Sequence, residues 1–197
     1  MSRSRAGFTL IELLVVTVML GIISLALYST FSAGATIWKR TQALVIEEDV
    51  NLFLEHFAQD VSTTFLFTGI DFIGKKDRLE FPILLQSRDL QKRTVGKVVY
   101  VFNPEAMTVG RAQLDYSALF RTEEPVFARA LPRVIQCVFS FYMIDPQTKE
   151  TYWADDFSAE KGMSLPLAIR IELEVHHGES VQRFVRTVSI PVSQTDD

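Results

Sequence analysis

Gly7-Phe8-Thr9-Leu10-Ile11-Glu12 places one carboxylate at the head of an apolar stretch, and no further Asp, Glu, Lys or Arg occurs from residue 13 to residue 38. Residues 13–27 are nearly all apolar, and about 20 such residues span a bilayer core. The six residues before Gly7 carry Arg3 and Arg5 and no acid. Basic residues hold their side of a span in the cytoplasm, so the expected orientation is N-terminus inside and the remainder outside. A charged side chain inside a membrane segment costs roughly 2.5–3.5 kcal/mol on insertion scales and marks function. Glu12 is therefore the first candidate functional residue.

An ordinary secretory signal peptide competes for the same residues, because Ala33-Gly34-Ala35 fits a small-residue cleavage site. The fit is poor. The apolar run exceeds the roughly 7–15 residues of a usual signal core, contains Glu12, and passes without a break into a helical pattern.

All seven prolines lie at or beyond Pro82, so the first part of the chain can be helical throughout. Ile46, Val50, Phe53, Leu54, Phe57 and Val61 recur at the spacing of one helix face. Glu47, Glu48, Asp49, Glu55 and Asp60 take the other positions. A helix over 8–67 follows, membrane-spanning over 8–38 and amphipathic over 39–67.

From residue 68 onward the pattern changes to short runs rich in Val, Ile, Phe and Tyr, punctuated by Pro, Gly, Asn and Asp. Strands are expected at 78–84, 97–102, 107–111, 134–144, 151–153, 167–176 and 181–191. Ile169, Ile171, Leu173 and Val175 alternate with Arg170, Glu172 and Glu174, and Phe184 and Val188 can continue the buried face across a turn at 176–180. Asp145-Pro146-Gln147-Thr148-Lys149 reads as a second hairpin turn. One long helix packed on an antiparallel sheet makes an α+β fold, with the β-sheet domain over 68–197 and the helix over 39–67 continuing into it.

Catalytic signatures are missing. Cys137 is the lone cysteine and lies in an apolar run, where a thiol acts as a small hydrophobe; an internal disulfide is excluded. His176-His177 reads as a solvated turn without a second ligand group at metal-binding spacing. His56 beside Phe57 fits a surface or packing role. Phosphate loops and Ser-His-Asp patterns are absent, and no basic face points to nucleic acid. The reading is a protein that is not an enzyme and has no catalytic residue.

The motif Gly7-Phe8-Thr9-Leu10-Ile11-Glu12 followed by an apolar helix resembles the class III signal of type IV pilins and type II secretion pseudopilins. The resemblance implies a leader over 1–7, cleavage by a prepilin peptidase between Gly7 and Phe8, and N-methylation of Phe8. Loss of Arg3 and Arg5 with the leader takes the net charge from −4 to −6. It also implies that Glu12, the fifth mature residue, pairs with the amine of a neighbouring subunit during assembly. A buried charge is tolerated when paired and costly when alone; the alternative for Glu12 is a carboxylate snorkelling to the interface.

Further along, Phe57-Ala58-Gln59-Asp60, Arg78-Leu79-Glu80-Phe81, Val98-Val99-Tyr100, Leu119-Phe120-Arg121 and Phe139-Ser140-Phe141-Tyr142 appear in this order. Trp153, Leu165-Pro166-Leu167-Ala168-Ile169-Arg170-Ile171, Arg183 and Arg186 follow. The series is similar to the J-type minor pseudopilin. K-type pseudopilins typically lack the Glu. The J-type resemblance implies a single-pass inner-membrane protein with a periplasmic domain, incorporated into a pseudopilus. The implied partners are the I-type, K-type and H-type minor pseudopilins, the major pseudopilin, the prepilin peptidase and the inner-membrane assembly platform. A type IV pilus minor pilin and a membrane-anchored periplasmic binding domain are the alternatives. No cofactor is expected: some family relatives bind calcium in C-terminal loops, but Asp155, Asp156 and Glu160 form no EF-hand pattern and read as a solvated acidic loop.

Overall fold

In the computed structural model, which describes residues 9–86, 92–158, 165–177 and 180–191, helix α1 runs Leu10–Ser62. The chain divides into two compact units, Met1–Val45 and Ile46–Asp197.

In the second unit the helix face read from the sequence is the face that packs. Val50, Phe53, Leu54, Phe57 and Val61 are buried, and Ile46 packs partly buried against them. Fully burying an apolar side chain of this size is worth about 1.5–3 kcal/mol. The helix stops at Ser62 rather than near residue 67. Ser62 and Thr63 turn their hydroxyls back onto the Gln59 carbonyl, at 2.9 and 3.0 Å. Thr64 then commits its hydroxyl to the Pro82 carbonyl at 2.9 Å in the interior, and Phe67 pairs with Ile70 in an isolated bridge. Hydroxyl side chains that bond locally compete with helix continuation.

The strands are β1 (Ile73–Gly74), β2 (Arg78–Gln86), β3 (Arg93–Asn103), β4 (Thr108–Asp115), β5 (Phe127–Pro132), β6 (Val134–Ile144), β7 (Thr151–Ala154), β8 (Phe157–Ser158), β9 (Ala168–His177) and β10 (Ser180–Ser189), with a short helix α2 (Tyr116–Phe120) after β4. They form two sheets, a six-stranded one in the order β5-β4-β3-β2-β1-β8 and a four-stranded one in the order β10-β9-β6-β7. Every pairing among the described residues is antiparallel. The fold class is α+β, as expected, with its strands shared between two sheets.

One core holds α1 and both sheets together. Phe57 packs edge-on to Tyr100 of β3 at 5.5 Å and against Phe139 of β6 at 6.2 Å. Leu79, Phe81, Val98, Phe139, Phe141, Ile169, Ile171, Leu173 and Val175 complete it. The alternation in β9 is the one read from the sequence, and Phe184 and Val188 of β10 pack on the same core. Gly74 lets the sheets approach: a Cβ there would stand 2.2 Å from the Phe141 ring. Strand 78–84 extends to Gln86 and strand 97–102 reaches back to Arg93. Asp145 caps its turn by accepting from the Gln147 and Thr148 amides at 2.8 and 3.2 Å. The hairpin over 176–180 pairs Ser180 with His177; Gly178 and Glu179 lie outside the described residues.

Candidate functional site

The start of α1 is built as a capped helix end. Thr9 stands just before Leu10; its carbonyl accepts from the Glu12 and Leu13 amides at 3.1 and 3.2 Å, and its hydroxyl accepts from the Glu12 amide at 3.4 Å. A Thr followed three residues later by Glu is the capping-box pattern, a signal in the sequence beyond the apolar run. Glu12 sits in the first helical turn, where the aligned peptide dipoles favour negative charge, and it is exposed. Gly7 and Phe8 lie outside the described residues.

From Leu10 to Trp38 the helix is long and apolar enough to cross a membrane, and none of its apolar window is buried within the chain. Leu10 to Trp38 present a nearly unbroken apolar surface, with Leu25, Tyr28 and Phe31 each more than 70% exposed. Lipid cannot satisfy stray polar groups. Three hydroxyls on this span meet that demand internally: Thr17 donates to the Leu14 carbonyl at 2.9 Å, Thr30 to the Ala26 carbonyl at 2.9 Å and Thr36 to the Ser32 carbonyl at 3.0 Å.

A family model described as the prokaryotic N-terminal methylation motif matches residues 2–28. The chain carries that motif. It indicates a type IV pilin-like or pseudopilin family. The motif's family is structural rather than enzymatic. It points to assembly with other pilin-type subunits and to processing by prepilin peptidase. The apolar helix fits a single-pass anchor of such a protein. No curated protein matches the chain.

Two clusters of buried titratable residues serve the domain. Asp60, expected on the exposed side of the helix, is buried. Its carboxylate takes both arms of Arg111 from β4, at 2.7 Å from Nε and 2.8 Å from Nη2, and the Tyr100 hydroxyl at 2.6 Å. Burial, and then the Asp60 charge and hydrogen bond, push the Tyr100 hydroxyl well above its ordinary pKa. The Arg111 guanidinium is depressed by burial, but its contact with Asp60 outweighs this and raises it. Glu80 of β2 is likewise buried between Lys97, at 2.6 Å, and Arg78. Burial pushes its carboxyl up, yet the hydrogen bonds and charges of Lys97 and Arg78 carry it below the usual value.

Cys137 is buried, and desolvation with the nearby Asp77 charge raises its thiol far above the ordinary range; a thiol held protonated is a poor nucleophile. His56 is half-buried and lines an open groove of about 610 Å3 with Arg111, Asp115, Arg121 and Glu123. His176 is exposed and His177 half-buried. Asp155 and Asp156 are exposed; Glu160 lies outside the described residues.

Proposed function

We propose that this chain is a minor pseudopilin of a type II secretion system, of the J type. In this reading it is part of the tip complex that initiates the pseudopilus for export of folded proteins across the outer membrane. The observation that carries the reading is one α-helix, Leu10–Ser62, whose first part is an exposed apolar span headed by Glu12 and whose last part is the core helix of an α+β domain. An exposed apolar surface of that length needs lipid or other subunits around it, and the methylation motif names the kind of subunit.

Within the reading, the peptidase cuts after Gly7 and Phe8 is methylated. The domain stands in the periplasm, and Glu12 meets the amine of a neighbour when the helix leaves the bilayer. The I-type, K-type and H-type subunits, the major pseudopilin and the inner-membrane platform are its partners. The order of short motifs from Phe57 to Arg186 favours the J type over a type IV pilus minor pilin.

Peptide mass spectrometry of the protein from its native membrane tests the processing: an N-terminus at methyl-Phe8 is expected, and one at Met1 or after Ala35 refutes it. Co-purification of the processed chain with the I-type and K-type subunits of the same cell tests the type. A stable ternary complex is expected. Association with pilus subunits instead would transfer the protein to the pilus.

A further inference from the structure

Among the strands that end the two sheets, β10 is the long one. It closes one side of the four-stranded sheet and pairs with β9 over all ten of its residues without a register shift. The other edges carry the usual protections: β7 has four residues, β8 has two, and β5 shifts register against β4 and ends in Pro132. β10 contains neither Pro nor Gly. Two hydrogen bonds fix which of its backbone groups face out. The Ile190 amide donates to the Leu167 carbonyl and the His176 amide to the Arg133 carbonyl, each at 2.9 Å. With the register of the two strands, even-numbered residues of β10 turn their amides and carbonyls to β9, and odd-numbered ones turn theirs outward. Val181, Arg183, Val185, Thr187 and Ser189 are exposed, and among the described residues their outward backbone groups meet no partner.

Arg183 and Arg186 are the only charged residues of β10. A charge on an edge ordinarily deters pairing, but both of these are drawn back from it. Arg183 reaches across to Glu172 of β9, and Arg186 reaches Glu55 of α1 at 3.1 Å. Glu172 is shared, since Arg170 stands 3.8 Å from its other oxygen, and Glu55 is 68% exposed. Exposed pairs of this kind are weak, and a guanidinium with five N–H groups keeps donors for a further acid. Between the two arginines lie Phe184, half-buried against the core, and Val185, half-exposed on the opposite face.

A further strand would set one side chain opposite each of these four. Opposite charges face to face stabilise a sheet and like charges destabilise it, so the matching strand reads acid-apolar-apolar-acid opposite Arg183, Phe184, Val185 and Arg186. The pattern is the same in both directions and serves parallel and antiparallel addition alike. No such run occurs in this sequence, and a second β10 would bring two more arginines and no acid to the seam. We propose that β10 is a docking edge that takes an extended acid-apolar-apolar-acid segment of a different protein as an added strand. The outward backbone row supplies the hydrogen bonds and the side chains select the segment, the division of labour in strand addition. The edge belongs to the domain alone, so its docking role is independent of the pseudopilin reading.

The test uses the full chain in detergent micelles and a fluorescein-labelled peptide, Thr-Val-Glu-Val-Tyr-Glu-Val-Thr, beside its counterpart with both Glu replaced by Lys. Anisotropy reads binding, and hydrogen exchange reads the amides of Val181, Arg183, Val185 and Thr187. The acidic peptide is expected to bind about tenfold more tightly than the lysine peptide and to slow exchange at those amides. Val185→Pro removes one outward amide and leaves the β9 ladder in place, and should abolish both effects. Arg183→Gln/Arg186→Gln, which leaves the backbone alone, should make the two peptides bind equally. An acidic peptide that fails to bind, or binds without slowing those amides, overturns the docking edge. Equal binding of the two peptides to the parent chain overturns the acidic occupant. Self-association of the parent chain that Val185→Pro abolishes would seat a second copy on the edge and overturn the partner proposed.

Discussion

Asp60 shows how a single side chain can change sides. Its carboxylate is anchored by Arg111 and Tyr100 rather than by water, which makes it a pin between α1 and the six-stranded sheet. Removing one partner of a buried pair strands the other charge and costs about 3–5 kcal/mol. Arg111→Met is therefore expected to lower unfolding stability by about 3 kcal/mol, since Tyr100 still donates. Tyr100→Phe should cost less, about 1.5–3 kcal/mol for one hydrogen bond to a charged group. Asp60→Leu combined with Arg111→Met should recover part of the loss, because no charge is then left buried. Denaturant unfolding of the detergent-solubilised chain measures all three, and an unchanged Arg111→Met protein would contradict the pin. The sequence held the signal for Asp60: it lies three residues after Phe57 and seven after Phe53, on the apolar stripe. Its acidic side chain hid that placement, and the partners 40 and 51 residues away were beyond any local pattern.

Among the elements, legibility follows length. The face of α1 from Ile46 to Val61 and the ten-residue strand β9 repeat their periods often enough to be read. Strands β1 and β8 have two residues each, too few for any alternation. β5, Phe-Ala-Arg-Ala-Leu-Pro, contains two alanines and a terminal proline, composition that argues against a strand; its pairing with β4 creates it. α2 was announced only by its cap, Asp115, whose carboxylate accepts from the Ala118 amide at 2.9 Å. Gly96 lies at one end of the gap between the expected and observed starts of β3. A Cβ at this position would stand 2.4 Å from the Leu114 carbonyl oxygen of the paired strand, and a backbone atom cannot swing away. Gly96→Ala is expected to destabilise by about 1–3 kcal/mol, in the range of other overpacked interiors. Hydrogen exchange localised to β3 and β4 should show the loss.

For the whole molecule, the division into a bare apolar span and a packed domain was readable, because composition alone separates them. The split of the strands into two sheets was not, since alternation reports which face is buried but not which strand lies alongside. The two buried polar clusters of the domain also set how it responds to pH. Glu80 has a depressed pKa, so its contribution is complete above the unfolded value of about 4.3 and is lost as pH falls through the lower folded value. Tyr100 has a raised pKa; its contribution is complete below about 10 and is lost as pH rises towards the folded value. Unfolding curves across pH should therefore show an acid limb that Glu80→Gln flattens and an alkaline limb that Tyr100→Phe flattens. An alkaline limb unchanged in Tyr100→Phe would assign it to other groups.

The domain's core takes in α1 from Ile46 to Val61, and none of the apolar window of Leu10–Trp38 is buried within the chain. Within the proposed pseudopilin reading, each copy must borrow solvent for some 29 residues of helix at every moment of its existence, first from lipid and then from other subunits. A freely diffusing monomer in water is excluded as a station between the two. In that reading, departure from the bilayer and arrival in a fibre have to be a single handover, in which apolar contacts with neighbours form as lipid contacts are given up. The same reading makes the exchange of lipids for neighbours around one helix a step that every added copy has to pass through.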